Sequence, residues 1–281
     1  MKPVDLTLLR EHLLAAIRED AGSGDVTSRS TLDADATAVA GYVTKQDLIV
    51  SGIRIVEELA RLCDTGLEFR ALRIDGDAVT GNTLLAEVRG SAHSILTLER
   101  ISLNFLQRLS GIATATAEYV ARVTGTAARI VDTRKTAPGL RLLDKYAVRC
   151  GGGMNHRVGL FDGVLIKNNH LVFHPSVADA VRTARQRLGH LARIEVEVTN
   201  QLELDDAIVG GADVIMLDNY TPDETRRAVL SVAGRVPLES SGGITLENVR
   251  EYAEAGVDYV SVGALTHSVT GADIHLQVRP D

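Results

Sequence analysis

The stretch Asp132–His170 reads DTRKTAPGLRLLDKYAVRCGGGMNHRVGLFDGVLIKNNH. Seven cations (Arg134, Lys135, Arg141, Lys145, Arg149, Arg157 and Lys167) stand against three aspartates, so the stretch carries a net charge of +4. The whole chain carries −7, which leaves −11 for the remainder. Lysine is scarce, with five in the chain, and three of them fall here. His156 and His170 lie beside the basic residues. A concentrated cationic cluster in an acidic protein predicts a pocket for a small, multiply anionic ligand. A nucleic-acid surface would instead make the whole domain basic.

The stretch also sets the fold. An apolar run ends at Asp132, a helix follows over Leu140–Cys150, and a second apolar run, GVLIK, ends at Lys167. Further on the rhythm repeats: RIEVEV, DVIMLD, PLESSG and YVSVGA, with helical periodicity over Val177–Leu188, Leu202–Val209, Pro222–Val232 and Leu246–Ala255. Six β-then-α units from Ala128 onward predict a parallel sheet. Several strands are continuous apolar runs, as expected when both faces are covered. No GxGxxG follows the first strand, which argues against a dinucleotide-binding sheet and favours a barrel.

Upstream the pattern differs. Leu6, Leu9, Leu13 and Ile17 mark an amphipathic helix over 5–20, and DAGSGDVTS breaks it. Strand-like AVAGYVT, LIVSG, LEFRALRI and TLLAEVRG alternate with a helix at Ile53–Cys63, an α+β arrangement. Ser91–Val123 is a long helix with Gly111 as an expected interruption. The expected architecture is α/β: an incomplete βα (TIM-like) barrel over 111–267 and an N-terminal α+β sandwich domain over 1–110. The tail, about 268–281, is expected to pack back on the sandwich.

With 281 residues, 45% hydrophobic and 24% charged, the composition is that of an ordinary globular protein. A pI near 5.6 excludes general binding to nucleic acid or anionic membrane. No apolar run approaches the ~18 residues of a membrane span. The N-terminus lacks the pattern of a signal peptide. Cys63 and Cys150 have no metal-site spacing and read as reduced thiols of a cytoplasmic protein.

Every strand end carries chemistry. The first ends in Asp132-Thr133-Arg134-Lys135 and the second in Lys167-Asn168-Asn169-His170. The third carries Glu195 and Glu197, and the fourth ends in Asp218. The fifth ends in Glu239-Ser240-Ser241-Gly242-Gly243, and the sixth in Gly263 with His267 beyond. C-terminal strand ends of a βα barrel form one rim, where active sites lie. Arginine offers a planar fork and lysine a point charge for carboxylate or phosphate. Arg134, Lys135, His156, Arg157 and Lys167 therefore read as ligand-binding. Arg141, Lys145 and Arg149, spaced by four, read as a solvated or subunit-facing stripe. Glu197 and Asp218 suit two ribose hydroxyls or a Mg²⁺ held by oxygens. Glu195 reads instead as solvent-facing or paired with an arginine. Ser241, Gly242 and Gly243, before a helix expected near Thr245, form a phosphate cradle that Gly263 can complete.

LERISLNFLQRLSGIAT, DTRKTAPGLRLLDKYAVRCGGGMNHRVGL, VLIKNNH, EVEV, VIMLDN, ESSGGIT and VDYVSVGALTHS occur in one order along the chain. Together they resemble the quinolinate phosphoribosyltransferase family across nearly the whole length. The resemblance implies a homodimer, or a hexamer built of dimers, whose active sites are shared between subunits. It implies transfer of phosphoribosyl from phosphoribosyl pyrophosphate (PRPP) to quinolinate with Mg²⁺. The products are nicotinate mononucleotide, pyrophosphate and CO₂, in NAD synthesis. Through it, Arg100 (from the partner subunit), Arg134, His156 and Arg157 are expected to hold the quinolinate carboxylates. Lys135 and Lys167 are expected to serve the dicarboxylate and the pyrophosphate. Glu197 and Asp218 are expected at the ribose and Mg²⁺, and Ser241, Gly242, Gly243 and Gly263 at the 5-phosphate with His267 close by. Members usually read IKDNH or IKENH where this chain has Asn168, which bears on the Mg²⁺ coordination. Two rival readings are a paralogous transferase, such as a molybdenum-transport-associated homologue, and a non-catalytic phosphate-sugar-binding barrel. The complete Arg134, Lys135, His156 and Arg157 set favours quinolinate over the first. Retained Glu197 and Asp218 count against the second.

Overall fold

The computed structural model describes residues 5–281. In chain order it begins with α1 (Arg10–Ala21), α2 (Val26–Thr31), β1 (Thr37–Thr44), β2 (Leu48–Ile49), α3 (Ile53–Cys63) and β3 (Glu68–Ala71). Next come β4 (Ala78–Val79), β5 (Leu84–Ser91), α4 (Ala92–Arg122), β6 (Arg129–Val131), α5 (Arg141–Cys150) and β7 (Val164–Ile166). Then follow α6 (Asn168–Leu171), α7 (Val177–Arg187), β8 (Ile194–Val198), α8 (Gln201–Gly210), β9 (Val214–Asp218) and α9 (Pro222–Val232). The chain closes with β10 (Leu238–Ser241), α10 (Val249–Ala255), β11 (Tyr259–Ser261), α11 (Ala264–His267) and β12 (Ile274–Pro280).

These elements divide into two compact units. One holds the described residues up to Ala117 with Ala137–Gly152 and Val269–Asp281; the other holds Glu118–Thr136 and Gly153–Ser268.

In the first unit the antiparallel sheet has the order β12-β1-β5-β3. Along β1 the residues Ala38, Ala40, Tyr42 and Thr44 are buried and alternate with more exposed ones, the period-two signature of a half-covered strand. Its buried face packs with Leu103 and Leu106 of α4, and the Tyr42 hydroxyl meets Ser102 Oγ at 2.8 Å. α3 begins at Gly52, whose φ of +113° suits glycine, and Asp75 Oδ1 accepts from the amides of Gly52 and Ile53. The C-terminal segment returns as β12, with Val278 opposite Ala40.

α4 runs unbroken through Gly111, contrary to the expected interruption. A Cβ at Gly111 would stand 2.1 Å from the Thr270 carbonyl oxygen, so the missing side chain serves a close backbone approach. Gly111→Ala is therefore expected to destabilise by about 2 kcal/mol or more, as overpacking does. Urea unfolding monitored by circular dichroism measures this.

The cationic stripe of α5 is solvated only in part, with Arg141 and Arg149 half-buried. Lys145 is 2% exposed and Asp144 is fully buried. Asp144 takes both arms of Arg108, at 2.9 and 2.8 Å, and the Ala137 amide at 3.2 Å. Tyr146 donates to Asp75 at 2.7 Å.

In the second unit the parallel sheet has the order β6-β11-β10-β9-β8-β7. Every strand pairs with its successor except that β6 pairs with β11, the last, and not with β7. That is a βα barrel opened between its first and second strands; among the described residues a single bridge, Val131 to Met154, lies at the gap. The helices are capped as their sequences demand. Thr221 and Glu224 form a reciprocal capping box ahead of Pro222 in α9, and Asn200 caps α8.

Candidate active site

Strand register decides which side chains meet. On β8, Ile194, Val196 and Val198 are buried on the side facing the helices, so Glu195 and Glu197 point inward. Across the register Glu197 lies beside Met216, Met216 beside Glu239, Asp218 beside Ser241, and Glu239 beside Tyr259. The barrel interior is thus lined by carboxylates and hydroxyls where many βα barrels carry branched apolar side chains.

A cavity of about 330 Å³ opens at the C-terminal strand ends. Thr133, Arg134, Lys135, His156, Arg157, Lys167, Glu197, Asp218, Glu239, Ser241, Gly242 and Gly243 all line it. The expected rim residues are therefore brought together from the ends of β6 to β10. A larger groove of about 430 Å³ in the first unit is lined by Ala16, Ile101, Phe105 and Leu140, with Arg108 bound to Asp144. It gathers no comparable set of cations.

The cations converge from three segments. Lys135 sits just past β6, where its amide takes Thr133 Oγ1 and its carbonyl accepts from Thr266 Oγ1 at 2.8 Å. Arg157 donates to the Gly163 carbonyl at 2.9 Å. Burial, and next the neighbouring Arg134, hold its guanidinium below the ordinary arginine range. Glu195 and Asp162 offset this in part, and a pair of neighbouring guanidiniums suits an anionic ligand.

Lys167 pairs with buried Glu197. Asp218 accepts from Asn219 Nδ2 at 2.9 Å, and its carboxyl is raised above the ordinary range, first by burial and then by Glu197. Two oxygen donors on adjacent strands that repel each other fit a hard divalent cation. Asn168 is exposed and opens α6, while Lys167 is held by Glu197. The departure at Asn168 leaves that pairing in place.

The phosphate loop differs from expectation in one respect. The helix starts at Val249, since Asn248 closes the preceding turn by accepting from Thr245 and donating to the Gly243 carbonyl. Loop amides, not a helix end at Thr245, are what Gly242 and Gly243 present. Both have positive φ, at +94° and +62°, and a Cβ at Gly242 would stand 2.2 Å from Asn219 Oδ1. Gly263 and His267 lie beside this cavity: a Cβ at Gly263 would be 3.1 Å from the His267 ring and 3.2 Å from Lys135 Cδ. Arg100 is exposed on α4 and does not line the cavity.

Three side chains acquire roles that the sequence reading did not assign. Glu195 is largely withdrawn from solvent and acts on the Arg157 guanidinium through its charge, while its hydrogen-bond partner is a histidine: Oε2 meets His156 Nε2 at 2.8 Å. His156 Nδ1 accepts from the Arg157 amide at 2.8 Å, so Nε2 carries the proton and donates to Glu195. Asp132, fully buried, accepts from the His156 amide at 2.9 Å and from Asn155 Nδ2 at 2.6 Å, which fixes the loop carrying His156. Glu239 is buried at the cavity floor. The available signal was a charged residue inside an apolar strand, visible in IEVEV and PLESS.

An open βα barrel with a cationic pocket, paired rim carboxylates and a glycine loop defines a phosphoribosyltransferase site. Two family models match the chain: quinolinate phosphoribosyl transferase N-terminal domain over 25–110, and its C-terminal domain over 112–277. A probable nicotinate-nucleotide pyrophosphorylase (carboxylating) of Bacillus subtilis is 45% identical over 260 residues, covering 92% of this chain and 90% of the relative. The nicotinate-nucleotide pyrophosphorylase (carboxylating) of Mycobacterium leprae is 41% identical and covers 96% of both. Among solved structures, NadC from Streptococcus pyogenes superposes with a TM-score of 0.96 at 36% identity, covering all of both chains. The chain belongs to the quinolinate phosphoribosyltransferase family.

Proposed function

We propose that this chain transfers the phosphoribosyl group of PRPP to quinolinate with loss of CO₂, forming nicotinate mononucleotide and pyrophosphate for NAD synthesis. The observation that carries the reading is the convergence of Arg134, Lys135, Arg157 and Lys167 on one cavity with Glu197 and Asp218 opposite. A dianionic acid and a polyanionic sugar diphosphate need that density of positive charge. Arg134 and Arg157 take the two carboxylates, and Lys135 and Lys167 neutralise the departing pyrophosphate. Glu197 and Asp218 steady the cationic character that develops on the ribose. They would also hold Mg²⁺, which supplies further neutralisation of the diphosphate. Loop amides of Gly242 and Gly243 take the 5-phosphate. In a homodimer with shared sites, exposed Arg100 is the residue the partner subunit would contribute.

Pyrophosphate release measured with PRPP and Mg²⁺ tests the acid. Quinolinate supports turnover, and nicotinate, which lacks the second carboxylate, does not. Equal rates with both would contradict the dicarboxylate assignment. Gly242→Ala is expected to raise the KM for PRPP about tenfold or more with little change for quinolinate. The new Cβ strains a residue at positive φ, at about 1–3 kcal/mol, and displaces Asn219. Initial-rate kinetics with each substrate varied in turn check this.

A further inference from the structure

The barrel holds a second cavity, of about 270 Å³, at the opposite end. Val164, Arg193, Val214 and Tyr259, at or next to the starts of β7, β8, β9 and β11, place it on the N-terminal face. His156, Arg157 and Glu239 line both this cavity and the one at the rim. They form the partition between the two.

Within that partition His156, Glu195 and Glu239 each bring a nitrogen or carboxylate oxygen to within 4.8 Å of the others. Glu195 Oε1 and Glu239 Oε1 are buried and have no hydrogen-bond partner among the described residues. Two carboxylates so close and so dry cannot both be ionised, so one proton resides there. Glu195 Oε2 accepts a hydrogen bond from His156 Nε2, while no such donor reaches Glu239 Oε1. The retained proton therefore belongs to Glu239. Burial first, and then Glu195, push its carboxyl up to about 8, so it is mostly protonated at neutral pH. The groups facing it are Glu195 from β8, His156 from the loop after α5, Lys167 from the end of β7 and the Ser261 hydroxyl from β11.

This inference rests on the decarboxylating transfer proposed above. When the C2–carboxylate bond of the N-ribosylated acid breaks, CO₂ leaves and the electron pair stays on C2 beside the pyridinium nitrogen. That carbon must then receive one proton. In that reading Lys135, Lys167, Arg134 and Arg157 hold the substrates' anions, Glu197 pairs with Lys167, Asp218 is given to the ribose and Mg²⁺, and the His156 Nε2 proton is held by Glu195. We infer that Glu239 is the proton donor to C2, and that it regains its proton from water in the cavity on the N-terminal face. A C–H bond forms at C2 as the Glu239 O–H bond breaks, leaving its carboxylate until water returns the proton.

The test uses full-length enzyme with PRPP, Mg²⁺ and quinolinate. Glu239→Gln, close to isosteric, is expected to lower kcat about 100-fold or more, as loss of a general acid does. The KM for quinolinate should stay within about threefold. Wild-type kcat should fall above pH about 8 as Glu239 deprotonates. Glu195→Gln removes the neighbouring negative charge, makes Glu239 more acidic and should move that fall to lower pH. A purely structural role would not produce this shift, and the variant decides the matter if Glu239→Gln does not fold. A Glu239→Gln kcat within fivefold of wild type, or an alkaline fall that Glu195→Gln leaves unmoved, would overturn the inference. So would a stoichiometric divalent metal held by the trio in the purified enzyme, because it would take the proton's place. Absence of wild-type turnover with quinolinate would instead defeat the underlying reading.

Discussion

Arg134→Ala is expected to raise the KM for quinolinate about 100-fold while the KM for PRPP changes less than about threefold. Arg134 lies in the loop just after β6 and close enough to Arg157 to depress its proton affinity. In the proposed site the dianion lies between these two neighbouring guanidiniums and offsets their repulsion. Truncating one partner of a desolvated, hydrogen-bonded charge pair costs about 2–5 kcal/mol, and the middle of that range corresponds to about two orders of magnitude in binding. In the proposed assignment PRPP is neutralised by Lys135, Lys167 and the glycine loop, so its KM should be nearly spared. Steady-state kinetics with each substrate at saturation of the other separates the two. Equal effects on both constants would remove Arg134 from the dicarboxylate site.

Glu197→Ala is the second large effect, expected in kcat: a fall of about 10³-fold. Glu197 is buried, paired with Lys167, and next to Asp218. Its loss leaves Lys167 without this partner and, in the proposed site, removes negative charge from beside the ribose as it becomes cationic. Preorganised electrostatic groups of this kind are worth about 10²–10³ in rate, and the freed lysine adds to the loss. Single-turnover measurements should show the fall in the chemical step. A KM effect alone would make Glu197 a binding group only.

Much of this site is legible in the sequence because strand ends in a βα barrel share a rim. Once the six apolar runs are recognised, the residues after them must converge, and Arg134, Lys135, Lys167, Asp218, Ser241 and Gly242 do. What stays hidden has physical causes. Periodicity tells which face of a helix is apolar but not what covers the other face, so buried Lys145 in α5 resembled a solvated residue. A glycine in a helix looks like a break until its neighbour is known; at Gly111 that neighbour is the Thr270 backbone, far along the chain. Period-two alternation places Glu195 and Glu197 on one face, yet only the pairing of β8 with β7 and β9 shows that this face is the barrel interior. The link from Glu195 to His156 joins residues that no local pattern relates.

The most direct measurement follows quinolinate labelled with ¹⁴C in its 2-carboxylate, incubated with PRPP and Mg²⁺. One labelled CO₂ is predicted for each nicotinate mononucleotide and each pyrophosphate formed, and none without PRPP. Retention of the label in a nucleotide product, or release of CO₂ without pyrophosphate, would contradict the account.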